Sequence, residues 1–300
     1  MAEHDARKPA GNPEDFEMRL CPQHGPYRAH PNASQDARKV VPFMSPEALE
    51  RSADGVPSTP GMIECPTCRI ERQARRIEQA QHTQHAELIR ASGIPPRFLN
   101  KTLTNLAAPS DQISAPERQR FDATLRAIHA YARGLKPGVA SSGAGRWLTL
   151  SGRPGTGKTH IACGLARLCI ESAQLRCLYV QTHEMLATIK STYHRDAVIT
   201  EREALQQYVQ PDLLLLDEVG TTRLSAIDGD LLFRVLNARY EQIKPVVLIT
   251  NLTLAELPAI LGERVIDRAR EDGGMAIQCD WPSHRHARQR GNSTFDFTFF

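Results

Sequence analysis

From Trp147 onward, short apolar runs alternate with longer amphipathic stretches. WLTLS, LRCLYVQ, PDLLLLDEV, PVVLITN and MAIQC each read as a strand. Between them, residues 160–172, 183–194, 227–242 and 254–271 read as helical. Strands that are continuous apolar runs, rather than alternating ones, are buried on both faces. Interleaved with helices, they predict an α/β fold: a parallel sheet flanked by helices. Upstream, Ser114 and Glu117 have the spacing of a capping box, with Pro116 in the first turn. Phe121, Leu125, Ile128, Ala132 and Leu135 then recur at 4, 3, 4, 3 spacing, the stripe of an amphipathic helix. Residues 69–92 lack glycine and proline and predict a very polar helix, which Gly93 and Pro95-Pro96 end. No internal repeat is visible.

Composition narrows the class. A chain of 300 residues with 41% hydrophobic content can bury a real core. Its net charge of +3 neither demands nor excludes nucleic acid, so any such contact needs a local basic face. The end of the 183–194 helix, with Lys190, His194 and Arg195, is one candidate face, and Arg69, Arg72, Arg75 and Arg76 form another. No apolar run is long enough to span a bilayer, and the first residues hold no apolar signal core, so the expectation is a cytoplasmic protein with no membrane partner. Seven cysteines, an odd number, fit reduced thiols better than a disulfide framework.

The strand WLTLS runs into Gly152-Arg153-Pro154-Gly155-Thr156-Gly157-Lys158-Thr159, a full G-x-x-x-x-G-K-[ST] match that opens a predicted helix. Its glycines let backbone N–H groups converge on phosphate oxygens at a helix N-terminus. Lys158 is placed to neutralise the β and γ phosphates of ATP, and the Thr159 hydroxyl to coordinate Mg²⁺. About sixty residues on, the four leucines of LLLLDE bury a strand and leave Asp217 and Glu218 at its C-terminal end, where open α/β sheets bind ligands. Asp217 is the candidate Mg²⁺ holder and Glu218 the candidate base that polarises the attacking water. Asn251 ends the strand VVLIT and can orient that water.

Near the N-terminus, Cys21-Pro22-Gln23-His24 and Cys65-Pro66-Thr67-Cys68 are two C-x-x-[CH] knuckles separated by 40 residues. Together they offer the four ligands of a tetrahedral Zn²⁺ site. Cys163, Cys169, Cys177 and Cys279 fall in apolar segments and read as small buried hydrophobes.

The GRPGTGKT loop, LLLLDEVG, VLITNL and LGERVIDRARE followed by Asp280-Trp281 resemble the bacterial replicative helicase loaders, the DnaC-like branch of the AAA+ ATPases, close to the IstB transposition ATPases. The likeness covers roughly residues 93–288. It implies a P-loop NTPase of AAA+ type without a C-terminal lid, for which the residues after Arg285 leave no room. It also implies that Arg268 is an arginine finger acting on a neighbouring subunit, with Arg264 on the same helix face, and that Arg285 senses nucleotide. ATP hydrolysis, slow and dependent on a homo-oligomer, is then expected. The implied partners are a replicative DNA helicase and single-stranded DNA, the chain loading the first onto the second. Two alternatives stay open: an IstB-like ATPase assisting a transposase, and an ATP-switched binding module with slow turnover. The cysteine–histidine segment departs from the best-known loader, though some phage-type loader-like ATPases carry a similar one. The expected organisation is a tail at 1–15, a zinc-binding module at 16–68, a linker helix at 69–92, the ATPase domain at 93–288 and a second tail at 289–300.

Overall fold

The computed structural model describes residues 17–29, 65–108, 113–136, 146–221 and 223–284. The chain divides into two units, Met1–His82 and Thr83–Phe300.

In the first unit, β1 (Glu17–Cys21) and β2 (Gly25–Ala29) form an antiparallel hairpin. Cys21 pairs with Gly25 at its closed end, so Pro22, Gln23 and His24 make the turn. Gly25 takes φ +75°, a left-handed conformation that glycine adopts without strain. The polar stretch beginning after Cys65 is helix α1 (Pro66–Ala91), with a proline in the first turn, where its missing N–H costs nothing. The hairpin has no counterpart in the sequence reading. Its alternation is masked because Met18 and Leu20, the apolar residues of β1, are 64% and 77% exposed.

The second unit holds a five-stranded parallel sheet in the order β4-β5-β6-β3-β7, with β3 Trp147–Gly152, β4 Cys177–Gln181, β5 Leu213–Val219, β6 Val246–Thr250 and β7 Met275–Cys279. All five strands are those expected from the apolar runs. Their side chains alternate between two apolar layers. Leu213 and Leu215 join Leu148, Leu150, Val247 and Ile249 in one layer, under α2 (Ala115–Gly134) and α3 (Lys158–Ala173). Leu214 and Leu216 join Val246 and Leu248 in the other. That layer is covered by α4 (Thr182–Ser191), α5 (Glu201–Val209), α6 (Ala226–Glu241), α7 (Leu257–Leu261) and α8 (Glu263–Glu271). Each of these leucines is almost wholly buried, a contribution of about 2 kcal/mol apiece. Ser114 caps α2 in the expected box, accepting from Glu117 N–H. Helix α5 was not expected, although Thr200 and Glu203 form the same box before it.

Two close approaches fix the sheet. Gly152, at φ +144°, lies so near β7 that a Cβ there would stand 2.4 Å from the Cys279 carbonyl oxygen. Arg239 of α6 is fully buried. Its guanidinium donates to the carbonyls of Tyr208, Val209, Pro211, Asp212 and Pro245 at 2.6–3.4 Å, tying the end of α5 to the starts of β5 and β6. Among the described residues, no helix is long and apolar enough to cross a membrane.

Candidate active site and metal centre

The C-terminal ends of β3, β5 and β6 meet at one cleft of about 480 Å³, lined among others by Gly155, Lys158, Thr159, Asp217, Glu218 and Asn251. The loop between β3 and α3 reaches it because its glycines allow it. Gly155 and Gly157 both have positive φ, and Gly157 caps α3 with its backbone alone. Lys158 is 94% buried, and its ammonium donates to the Gly152 and Arg153 carbonyls at 2.7 and 2.9 Å. Thr156 is buried and donates to the Arg153 carbonyl at 2.9 Å. Pro154 and Gly157 line the cleft, and Arg153 is exposed.

Asp217 is wired on three sides. Its Oδ2 accepts from the Thr159 hydroxyl at 2.9 Å and from the Tyr179 hydroxyl at 2.7 Å, and its Oδ1 accepts from Glu218 N–H at 2.8 Å. Burial, and after it the Asp217 charge, push the Tyr179 phenol up, so it remains a donor. Glu218 is aimed differently. The β5–β6 register slips between Leu216 and Val219, so three steps on β5 match two on β6. That is a β-bulge, and Glu218 within it takes φ +58°. A bulge bends its strand and re-aims a side chain. Asp217 therefore stays buried while Glu218 stands in solvent, its Oε2 3.8 Å from His183 Nδ1. Asn251 is exposed, on a turn pinned from both sides: Thr250 donates to the Val219 carbonyl at 2.7 Å and Ser151 to the Leu252 carbonyl at 2.6 Å.

The segment after β7 latches the loop. The buried Trp281 donates from Nε1 to the Thr156 carbonyl at 2.8 Å, and His284 N–H donates to the Gly155 carbonyl at 2.9 Å. Phe121 of α2 meets the Trp281 ring edge-on at 5.1 Å. Arg97, Phe98, Lys101 and Leu106, from the chain between α1 and α2, line the cleft's other side. Neither these residues nor Tyr179 carries a motif signal, because what makes them relevant is contact across the fold.

The arginines of α8 part company. Arg264 is exposed and borders a second depression with Asp230 and Phe233. Arg268 is half-buried, its guanidinium stacked over the rings of Phe233 at 5.5 Å and Tyr240 at 5.1 Å. Arg285 lies outside the described residues, as do both expected tails. Lys190 pairs with Asp228 at 2.8 Å, so part of that basic helix end is already engaged.

In the first unit, Cys21, His24, Cys65 and Cys68 bring their donor atoms within 4.8 Å of one another. His24 Nδ1 lies 3.3, 3.7 and 4.0 Å from the sulfurs of Cys68, Cys21 and Cys65, and the Cys21 and Cys68 sulfurs are 3.5 Å apart. A tetrahedron with metal–sulfur bonds of about 2.3 Å has edges of about 3.8 Å. Three thiols and one imidazole at this spacing form a donor set that zinc takes. Backbone N–H groups of Gln23 and His24 bond the Cys21 sulfur and lower its pKa, favouring the thiolate a metal needs. The Cys68 thiol, by contrast, is pushed up to about 11, chiefly by its hydrogen bond with the Cys21 sulfur, so of this pair Cys21 is the thiolate and Cys68 the donor. All seven cysteines are free, but Cys163, Cys169 and Cys279 are pushed up to about 12 by burial, consistent with packing roles.

Residues 143–273 match the family described as IstB-like ATP binding protein. The chain is 28% identical over 169 residues to the replicative helicase loader DnaC of Buchnera aphidicola subsp. Baizongia pistaciae, covering 56% of this chain and 66% of that one, just under two thirds of the relative's length. It is 29% identical over 216 residues to the uncharacterized protein YdaV of Escherichia coli K12, covering 72% and 78%. Among solved structures, the DnaC helicase loader crystal structure superposes with a TM-score of 0.51 at 22% identity, over 61% of this chain and 99% of that one, a likeness of fold. The phosphate loop and the parallel strand order thus fall in the same stretch, residues 143–273, that is similar to the IstB-like ATP binding protein family.

Proposed function

We propose that the protein is an ATP-hydrolysing replication factor of the cytoplasm that loads a replicative DNA helicase onto single-stranded DNA. The observation that carries the ATPase half is the Thr159–Asp217 bond, which brings the loop hydroxyl and the strand carboxylate together at the mouth of the cleft. Lys158 turns from the loop carbonyls to the β and γ phosphates of ATP. The loop N–H groups orient those phosphates. A Mg²⁺ ion held by Thr159 and Asp217 would neutralise charge on the phosphate oxygens. Glu218, re-aimed by the bulge, takes the proton of the attacking water, and Asn251 orients that water. Arg264 and Arg268 are the candidates to act on a neighbouring subunit's phosphate, with Arg285 as a nucleotide sensor, so turnover requires a homo-oligomer. The four-ligand cluster binds Zn²⁺, which would cross-link the hairpin to the start of α1 and make a partner-binding module.

The loading half is supported by the DnaC relatives and by the four-donor cluster in a unit separate from the ATP-binding sheet. The test is co-purification of the chain with its host's replicative helicase in ATP, followed by helicase transfer to a single-stranded circle. No complex, and no gain in helicase on the circle, would reject it. The IstB-like family match favours a second reading, an ATPase assisting a transposase. Capture of a transposase in place of the helicase in the same experiment selects it.

A further inference from the structure

Glu71 follows Cys68 by three residues on α1, the spacing that puts two side chains on one helix face. Its Oε1 accepts from His24 Nε2 at 3.0 Å. The same ring presents its other nitrogen, Nδ1, to the three cysteine sulfurs. The far oxygen of Glu71 is steadied by Arg75 at 3.9 Å, one turn further along. The imidazole is therefore gripped from behind by a carboxylate while its front faces the cluster.

We infer that Glu71 is the positioning residue of the metal centre: it holds His24 in the tautomer and orientation that offer Nδ1 to zinc. The inference rests on the zinc reading given above. The physical need is specific to the histidine. A neutral imidazole has two tautomers, and only the one protonated on Nε2 has a lone pair on Nδ1. On a short turn the exposed His24 could also rotate its ring away were Nε2 not held by Glu71. A carboxylate on Nε2–H solves both problems and makes the ligand nitrogen more basic. Thiolates have neither problem, so Cys21, Cys65 and Cys68 need no such partner. The motif thus extends from C-x-x-C to Cys65-x-x-Cys68-x-x-Glu71, with the last position serving the histidine of the other knuckle.

The experiment measures zinc affinity of the full chain by competition with a chelator, for wild type, Glu71→Ala, Glu71→Gln and, as an exposed control on the same helix, Glu78→Ala. Each is made also in a His24→Cys background. Glu71→Ala is expected to weaken zinc about 10- to 100-fold. Glu71→Gln, which keeps the acceptor but loses the charge, should fall between, and Glu78→Ala should match wild type. In the His24→Cys background the Glu71→Ala loss should vanish, because no ring remains to be oriented. Affinity within twofold of wild type for Glu71→Ala overturns the inference while leaving the zinc reading intact. So does an equal loss in both backgrounds, which would mean that Glu71 acts through the stability of α1. A wild-type chain that retains no zinc overturns the reading and the inference together.

Discussion

Tyr179, in the middle of β4, and Thr159, in the first turn of α3, donate to the same oxygen of Asp217, at 2.7 and 2.9 Å. With Glu218 N–H on the other oxygen, three of the four lone pairs of the carboxylate are taken. The one left, on Oδ1, is where a water of a bound Mg²⁺ would find it. Replacing Asp217 by Asn keeps the shape but supplies two donors where Thr159 or Tyr179 already donates. Nucleotide binding in excess Mg²⁺ should weaken at least about tenfold, as expected when a charge-assisted bond is lost and a donor is left unpaired. Equal Mg²⁺-dependence of binding in wild type and Asp217→Asn would remove the metal role.

Lys158→Ala removes the cation that faces the phosphates. Loss of charge-assisted bonds of about 1.5–3 kcal/mol predicts nucleotide affinity lower by about 10- to 100-fold or more. Equilibrium binding of a fluorescent ATP analogue checks it, and unchanged affinity would remove the central reading of the cleft.

Glu218→Gln keeps the size of the side chain and removes the base. Binding should persist, and turnover should fall by about 10²- to 10⁴-fold. Because Glu218 sits in the bulge at φ +58°, the folded fraction should be confirmed by circular dichroism. Near-normal turnover would assign the water to another group, and His183, 3.8 Å away, is the first to try.

Arg239→Met tests the fold rather than the chemistry. The guanidinium is the shared donor of five carbonyls, and burial lowers its own pKa to about 9. Methionine fills part of the space, and Val209 and Pro245 keep Lys244 and Leu214 N–H as donors, but the carbonyls of Tyr208, Pro211 and Asp212 lose the guanidinium, at a cost of about 3 kcal/mol or more. The thermal midpoint should drop by roughly 6–12 °C. A drop below about 2 °C would mean that water replaces the arginine.

Arg264 and Arg268 of α8 separate in a mixing experiment. A chain with Arg264→Ala or Arg268→Ala and an intact loop is combined with one carrying Lys158→Ala. Recovery of hydrolysis in the mixture identifies a residue supplied in trans. Arg268, stacked on Phe233 and Tyr240, must leave those rings to reach a neighbour, whereas Arg264 is exposed as it stands. Failure of both mixtures to recover, with co-assembly demonstrated, argues against a shared site.

The parallel sheet was legible because a strand buried on both faces is written as an unbroken apolar run, and Leu213 to Leu216 is such a run. The phosphate loop and the Asp217-Glu218 pair were legible because their chemistry demands fixed spacing. The cysteine–histidine pairs were legible despite the long insertion, since each knuckle is local. What escaped depends on contacts distant in sequence. Tyr179 looks like one more core residue of LYV until Asp217 is found beside it, 38 positions on. Helix α5 is a single short amphipathic face, Ala204, Leu205, Tyr208 and Val209, lost among polar neighbours. The bulge that turns Glu218 outward is a mismatch between two strands and exists in neither alone.

Gly152 is required twice, and the two requirements can be confused. As the first residue of the phosphate loop it invites an alanine substitution to probe nucleotide contact. Yet a single methyl group there would press on the Cys279 carbonyl of the outermost strand before any nucleotide arrived. An inactive Gly152→Ala chain would be reporting a displaced sheet edge, and with it the Trp281 and His284 latch that follows β7. Genetic intolerance at this position is thus a measure of how tightly the last strand is docked, and says nothing by itself about phosphate.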